Sequence, residues 1–81
     1  MRVVIQHKTS FRYVRAEDDW TDDALMARDF ERIRNAAEFC REHNLRQAYI
    51  IAGDFDATGH RFNSATKTML DVGQLRVRLD S

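Results

Sequence analysis

The sequence predicts an α+β fold of two layers, an antiparallel or mixed sheet of four or five strands with one main helix packed on one face. Two observations predict it. Residues 20–45 repeat apolar side chains at helical spacing, whereas 2–6, 11–16, 49–52 and 75–79 are short runs of strand character. With 81 residues, the chain reads as a single domain over 1–81, too small to divide.

The first two strands are RVVIQ and FRYVRA, and the polar HKTS between them predicts a hairpin. Phe11 and Tyr13 share one face of the second strand, Val14 and Ala16 the other. Both faces are apolar, so pattern alone does not set the register. Residues 17–19 read as a solvated link into the helix. Trp20 opens that helix, Thr21 can cap it, and Asp22 and Asp23 suit its positive end. Met26, Phe30, Ile33, Ala37 and Cys40 recur on one helical face, widened by Ala36 and Phe39, with Arg34, Glu38 and Arg41 expected in solvent. Asn44 reads as the helix stop. Residues 27–30 are the weak joint: a first turn at 22–27, a break and a main helix over 31–44 fit the spacing almost as well.

Residues 49–52 are apolar on both faces, the mark of a strand inside a sheet. Residues 57–59 supply a turn, and 60–63 read as an antiparallel return. For 64–72, Ser64 as cap, Ala65, Met69 and Val72 on one face and Gly73 at the end favour a short helix. Thr66 and Thr68 favour a strand, and the balance falls to the helix. In 75–79, Leu75, Val77 and Leu79 alternate with Arg76 and Arg78, a half-buried strand.

Thirteen basic and thirteen acidic residues leave a formal net charge of zero. Phe11 and Tyr13, flanked by Arg12 and Arg15, echo a strand for single-stranded nucleic acid, but the wide basic field that binding needs is missing. The charge is nevertheless segregated: residues 1–15 hold Arg2, Lys8, Arg12 and Arg15 without an acid, and 17–23 hold five acids. One cysteine makes no internal disulfide and fits a reducing compartment, so a cytoplasmic location is expected. No stretch is long and apolar enough to span a membrane.

Two constellations carry possible chemistry. GDFDATGH, residues 53–60, follows an apolar strand, and its Asp-x-Asp-x-Thr resembles the nucleophile motif of haloacid dehalogenase-like phosphotransferases. That resemblance implies Asp54 attacking phosphorus and Asp56 as acid/base, both on magnesium, with His60 a further metal candidate. The chain lacks room for the doubly wound domain such enzymes use. The motif also matches the first half of a calcium loop, but Ala65 stands where the bidentate Glu belongs. Cys40 and His43, one helical turn apart, are half a zinc site that would need His7 and His60 to complete it. The spacing of Cys40 fits a buried thiol better.

VIQHKTSFRYV, then WTDD, then DF, then AAEFCREHNL and YII resembles a layout of very small bacterial proteins of uncharacterised function, over residues 3–55. It implies the broken helix, starting near Glu31, and no activity. IQHKTSFRY alone is similar to the opening strands of the N-terminal region attached to bacterial transglutaminase-like proteins.

The function expected from the sequence is a non-catalytic binding or interaction domain without a cofactor, self-associating as a homodimer or taking an unidentified protein or small molecule. Its partner-binding residues would be Phe11, Tyr13, Trp20, Arg76 and Arg78. One helix leaves the opposite sheet face partly bare, which motivates the dimer. The alternative is a metal-dependent phosphate-handling enzyme using Asp54 and Asp56.

Overall fold

The structure is a computed structural model that describes residues 1–54, 62 and 66–74. Its elements are β1 (Arg2–His7), β2 (Tyr13–Ala16), β3 (Asp19–Thr21), a 3-10 turn (Ala24–Met26), α1 (Ile33–Glu42), β4 (Ala48–Gly53), β5 (Thr68–Asp71) and a second 3-10 turn (Val72–Gln74). The strands form one antiparallel sheet in the order β3-β2-β1-β4-β5. The α+β architecture expected from the sequence is therefore the one observed.

β1 and β4 form the middle because both are apolar on both faces. They pair from Arg2 opposite Gly53 to His7 opposite Ala48, and Val3, Val4, Ile5, Ile50, Ile51 and Ala52 are all buried. Val3, Ile5, Val14 and Ile50 face α1, which meets them with Ala36, Ala37 and Cys40. Small side chains let the helix lie close. The opposite face is not bare at its centre: Val4 and Ile51 are covered by Ala27, with Tyr13, Tyr49 and Phe62 packed around them.

The break in the helix is where the sheet needs a partner. β1 pairs with β2 at Gln6 opposite Tyr13, and towards Val3 residues 27–30 bind between the two strands. Arg28 N–H donates to Val14 C=O at 2.8 Å and Phe30 N–H to Val3 C=O at 2.8 Å. Asp29 Oδ1 accepts from the backbone N–H of Val3 (3.0 Å) and of Glu31 (2.8 Å). Arg2 donates to the carbonyls of Leu25 and Ala27, holding the same segment from the other side. The chain then turns sharply at Glu31, φ 67, closed by Arg32 N–H donating to Phe30 C=O at 2.7 Å. Only beyond that turn can a helix start.

α1 stops where the sequence says. Asn44 adopts φ 55, Leu45 N–H donates to Cys40 C=O at 2.7 Å and Asn44 N–H to Arg41 C=O at 3.2 Å. That is a Schellman closure with Asn in the left-handed position. At the other end the expectations fail. Trp20 and Thr21 lie in β3, opposite Val14 and Tyr13, because residues 17–18 turn back, with Asp18 at φ 59, instead of leading into a helix. The cap is Asp23, which accepts from Leu25 N–H at 2.9 Å and serves only the short turn. Met26 on that turn is 51% exposed, not core. Ile33 and Glu38 are both half-buried, since α1 is rolled slightly off the expected face. The helix favoured for 64–72 is also overturned: residues 68–71 are β5, with Leu70 opposite Ile50, the threonines and a paired neighbour outweighing the cap signal. The turn at 57–59 and the strand at 75–79 lie outside the described residues, as does the return at 60–63 apart from Phe62.

Two measurements check this frame. Gly53→Ala places a Cβ 3.0 Å from Lys67 Cα and 3.2 Å from Thr66 O, so it should cost about 1–3 kcal/mol in urea unfolding. Asp29→Ala strips the buried Val3 N–H of its acceptor and should cost about 1–3 kcal/mol. Partial burial opposes ionisation of Asp29, but the Val3 and Glu31 N–H groups, Arg2 and the chain N-terminus outweigh it and hold the carboxyl below its usual 3.8. A lowered pKa gives stability present above 3.8 and lost as pH falls through the folded value. Asp29→Ala should flatten that acid limb.

Candidate functional site

α1 packs on β1 and β4, so the β2–β3 ribbon projects past it, and the angle between them is an open groove. Trp20 reaches into it from β3, half-buried, edge-on to His7 with ring centroids 5.6 Å apart. Phe39 on α1 and His43 just past its end stack across from it at 4.2 Å, and Phe30 continues the row 5.1 Å from Phe39. Between ribbon and helix Trp20, Phe39 and His43 frame a slot of about 90 Å³ with Val14, Ala16 and Leu45. The slot shares Phe39 and His43 with a larger open trough of about 590 Å³ running along α1.

Rings lie beneath the trough, whose own surface is mostly polar and whose rim is acidic. Glu17, Asp29, Glu31, Glu38 and Glu42 line the trough, and Asp18 lines the slot. Against them stands Arg28, its guanidinium 4.8 Å above the Phe30 ring and 5.9 Å from Phe39. This stack shows, inside the chain itself, that the floor accepts a flat cation. Glu38 also pairs with Arg34 at 3.4 Å, an exposed i,i+4 pair of small worth. A surface of this kind favours a ligand combining positive charge with an aromatic or apolar anchor.

The residues singled out in the sequence end up scattered. Trp20 is in the slot. Phe11 stands at the β1–β2 tip, 62% exposed, with φ 59. Tyr13 lies on the far face of the sheet, where burial pushes its phenol up. Arg76 and Arg78 lie outside the described residues, as do Asp56 and His60. Asp54 is exposed and paired with the N-terminal amine at 3.1 Å, and its N–H donates to Thr66 Oγ1 at 3.1 Å. Among the described residues, no three His, Cys, Asp or Glu side chains gather closely enough to hold a metal ion. Cys40 is buried under α1, while His43 turns onto Phe39. His7 Nδ1 accepts from the backbone N–H of Thr9 (3.1 Å) and Ser10 (3.3 Å), tying the hairpin loop.

The rim was missed in the sequence, though its signal was there. Glu31, Asn35, Glu38 and Glu42 recur at steps of four, three and four, a polar stripe that in sequence looks the same as the wet side of a helix. All four line the trough.

No known protein family, curated protein or solved structure matches this chain. No helix among the described residues is long and apolar enough to cross a membrane.

Burial pushes the Cys40 thiol up to about 11 from 9.0. In the native protein it should resist a thiol reagent at pH 8 and label only as the chain unfolds. A raised pKa means the neutral thiol stabilises the fold fully below pH 9, and that contribution should fade between 9 and about 11. Rapid native labelling abolished by His43→Ala would instead establish a reactive Cys40–His43 pair.

Proposed function

We propose that this chain is a non-catalytic interaction domain, and that the groove between α1 and the β2–β3 ribbon is its working surface. The observation that carries the reading is the half-buried aromatic row of Trp20, Phe39 and His43, left open beside a carboxylate rim. In a domain of 81 residues large rings are scarce, and three of them keep one side open to a groove while Trp20 and Phe39 rest their other side on the core. The same groups are poorly arranged for chemistry. Among the described residues the thiol is buried and neutral, one nitrogen of His7 serves the loop, and the trough's carboxylates have no partnered nucleophile beside them. Its ligand is a polypeptide segment pairing arginine or lysine with an aromatic anchor. Against the phosphate-handling alternative, Asp54 is exposed and its carboxylate pairs with the N-terminal amine at 3.1 Å.

Trp20 is the chain's one tryptophan, so its emission reads the slot directly. A short peptide alternating arginine and phenylalanine should shift that emission saturably, with weaker binding as salt rises. Glu38→Lys and Glu42→Lys should each weaken it about three- to tenfold. No response at millimolar peptide, together with a melting point raised by magnesium and inorganic phosphate, would overturn the reading in favour of Asp54 chemistry.

A further inference from the structure

The hairpin tip carries a side chain that the fold does not use. Phe11 is 62% exposed and sits at φ 59, a conformation that is strained for a bulky residue and free for glycine. The tip is nevertheless fixed. Phe11 N–H donates to His7 C=O at 3.0 Å and His7 N–H to Arg12 C=O at 2.8 Å, while Gln6 Nε2 donates to Phe11 C=O at 3.2 Å. A rigid, strained turn thus holds a large ring out in water.

Charge points the ring towards a destination. Beside it, Arg12 and Arg15 are held by single exposed pairs, to Asp22 at 3.2 Å and to Asp19 at 3.7 Å, contacts that cost little to exchange. The groove offers the complement: an aromatic slot at the other end of β2, with carboxylates along its rim. The tip thus brings guanidinium groups and the groove brings carboxylates, so the two surfaces are complementary in charge.

Resting on the groove as working surface, we propose that its occupant is a second copy of this chain. Phe11 of each copy enters the slot beside Trp20 of the other, and Arg12 meets the carboxylates of Glu38 and Glu42. Tip and slot lie at opposite ends of one strand, so a two-fold axis across the β2–β3 ribbons makes both contacts at once, an isologous pairing in which each copy completes the other's site.

Light scattering of the full chain from about 1 to 200 µM tests it, with Trp20 emission followed on dilution. Twice the 9.5 kDa chain mass is expected, with dissociation favoured by salt. Phe11→Ala should weaken the dimer at least about tenfold while keeping the native circular dichroism. Ala16→Trp, filling the slot from its wall, should do the same. An equimolar mixture of the two variants should dimerise better than either alone, because one supplies the slot and the other the ring. Undiminished dimers of both variants would overturn the proposal. So would a monomer at every concentration. If that monomer's Trp20 emission still responds to the arginine–phenylalanine peptide, the groove reading stands and only the partner is wrong. If neither occurs, both fall.

Discussion

The rest of the structure depends on how the backbone of β1 finds partners along its β2 edge. Its β4 edge is satisfied over six positions, but β2 diverges, and Val3 would be left with a buried N–H and C=O. A buried unpaired backbone group costs about as much as a lost hydrogen bond, and more when its desolvation is uncompensated. Residues 27–30 fill that gap, with a carboxylate from Asp29 doing the work of a strand carbonyl. The segment must be extended to do so, and this forbids a continuous helix from Trp20.

The consequence runs through to the candidate site. With 27–30 extended, residues 20–21 are free to pair as β3, and α1 starts at Ile33, ten residues long and lying over β1 and β4. A helix running on from Trp20 would have covered the ribbon and put that tryptophan in the core. The short one leaves Trp20 facing Phe39 and Leu45 across an open slot. The turn at Glu31 also sets the N-terminal end of α1 so that Glu31, Glu38 and Glu42 look into the trough. Core satisfaction and surface chemistry are therefore one event, decided at Asp29.

What the sequence made legible follows the range of each physical cause. The strands β1 and β4 were readable because burial on both faces leaves an unbroken apolar run, and the helix stop at Asn44 because its signal is a single residue's backbone preference. The start of α1 was only half readable. Helical spacing over 20–32 is real, but it competes with the demand of Val3, nearly thirty residues earlier, which no local pattern records. The strand at 68–71 was lost for the same reason: its cross-strand partners Tyr49, Ile50, Ile51 and Ala52 are distant in sequence and outweigh a local Ser and Gly. Of the site, Trp20 and Phe11 stood out by type alone. The acidic rim did not, because a polar helical stripe looks the same whether it borders water or a groove.

The placement of charge bears on why such a groove can exist in so small a domain. Carboxylates gathered along one side of α1 repel each other, and a rim of this kind weakens the fold that carries it unless cations are near. The chain answers with stacking: Arg28 lies over Phe30 and Phe39, placing a guanidinium in the trough that Glu17, Asp29 and Glu31 also line. Arg12 and Arg15 are spent differently, on exposed pairs with Asp22 and Asp19 away from the trough. Among the described residues Glu38 pairs with Arg34 while Glu17, Glu31 and Glu42 have no ion pair, so their charge is available to whatever cation binds. A domain neutral in sum but polarised in space keeps its recognition energy for a second body, at the cost of a stability that the Asp29 bridge and the β1–β4 core must supply.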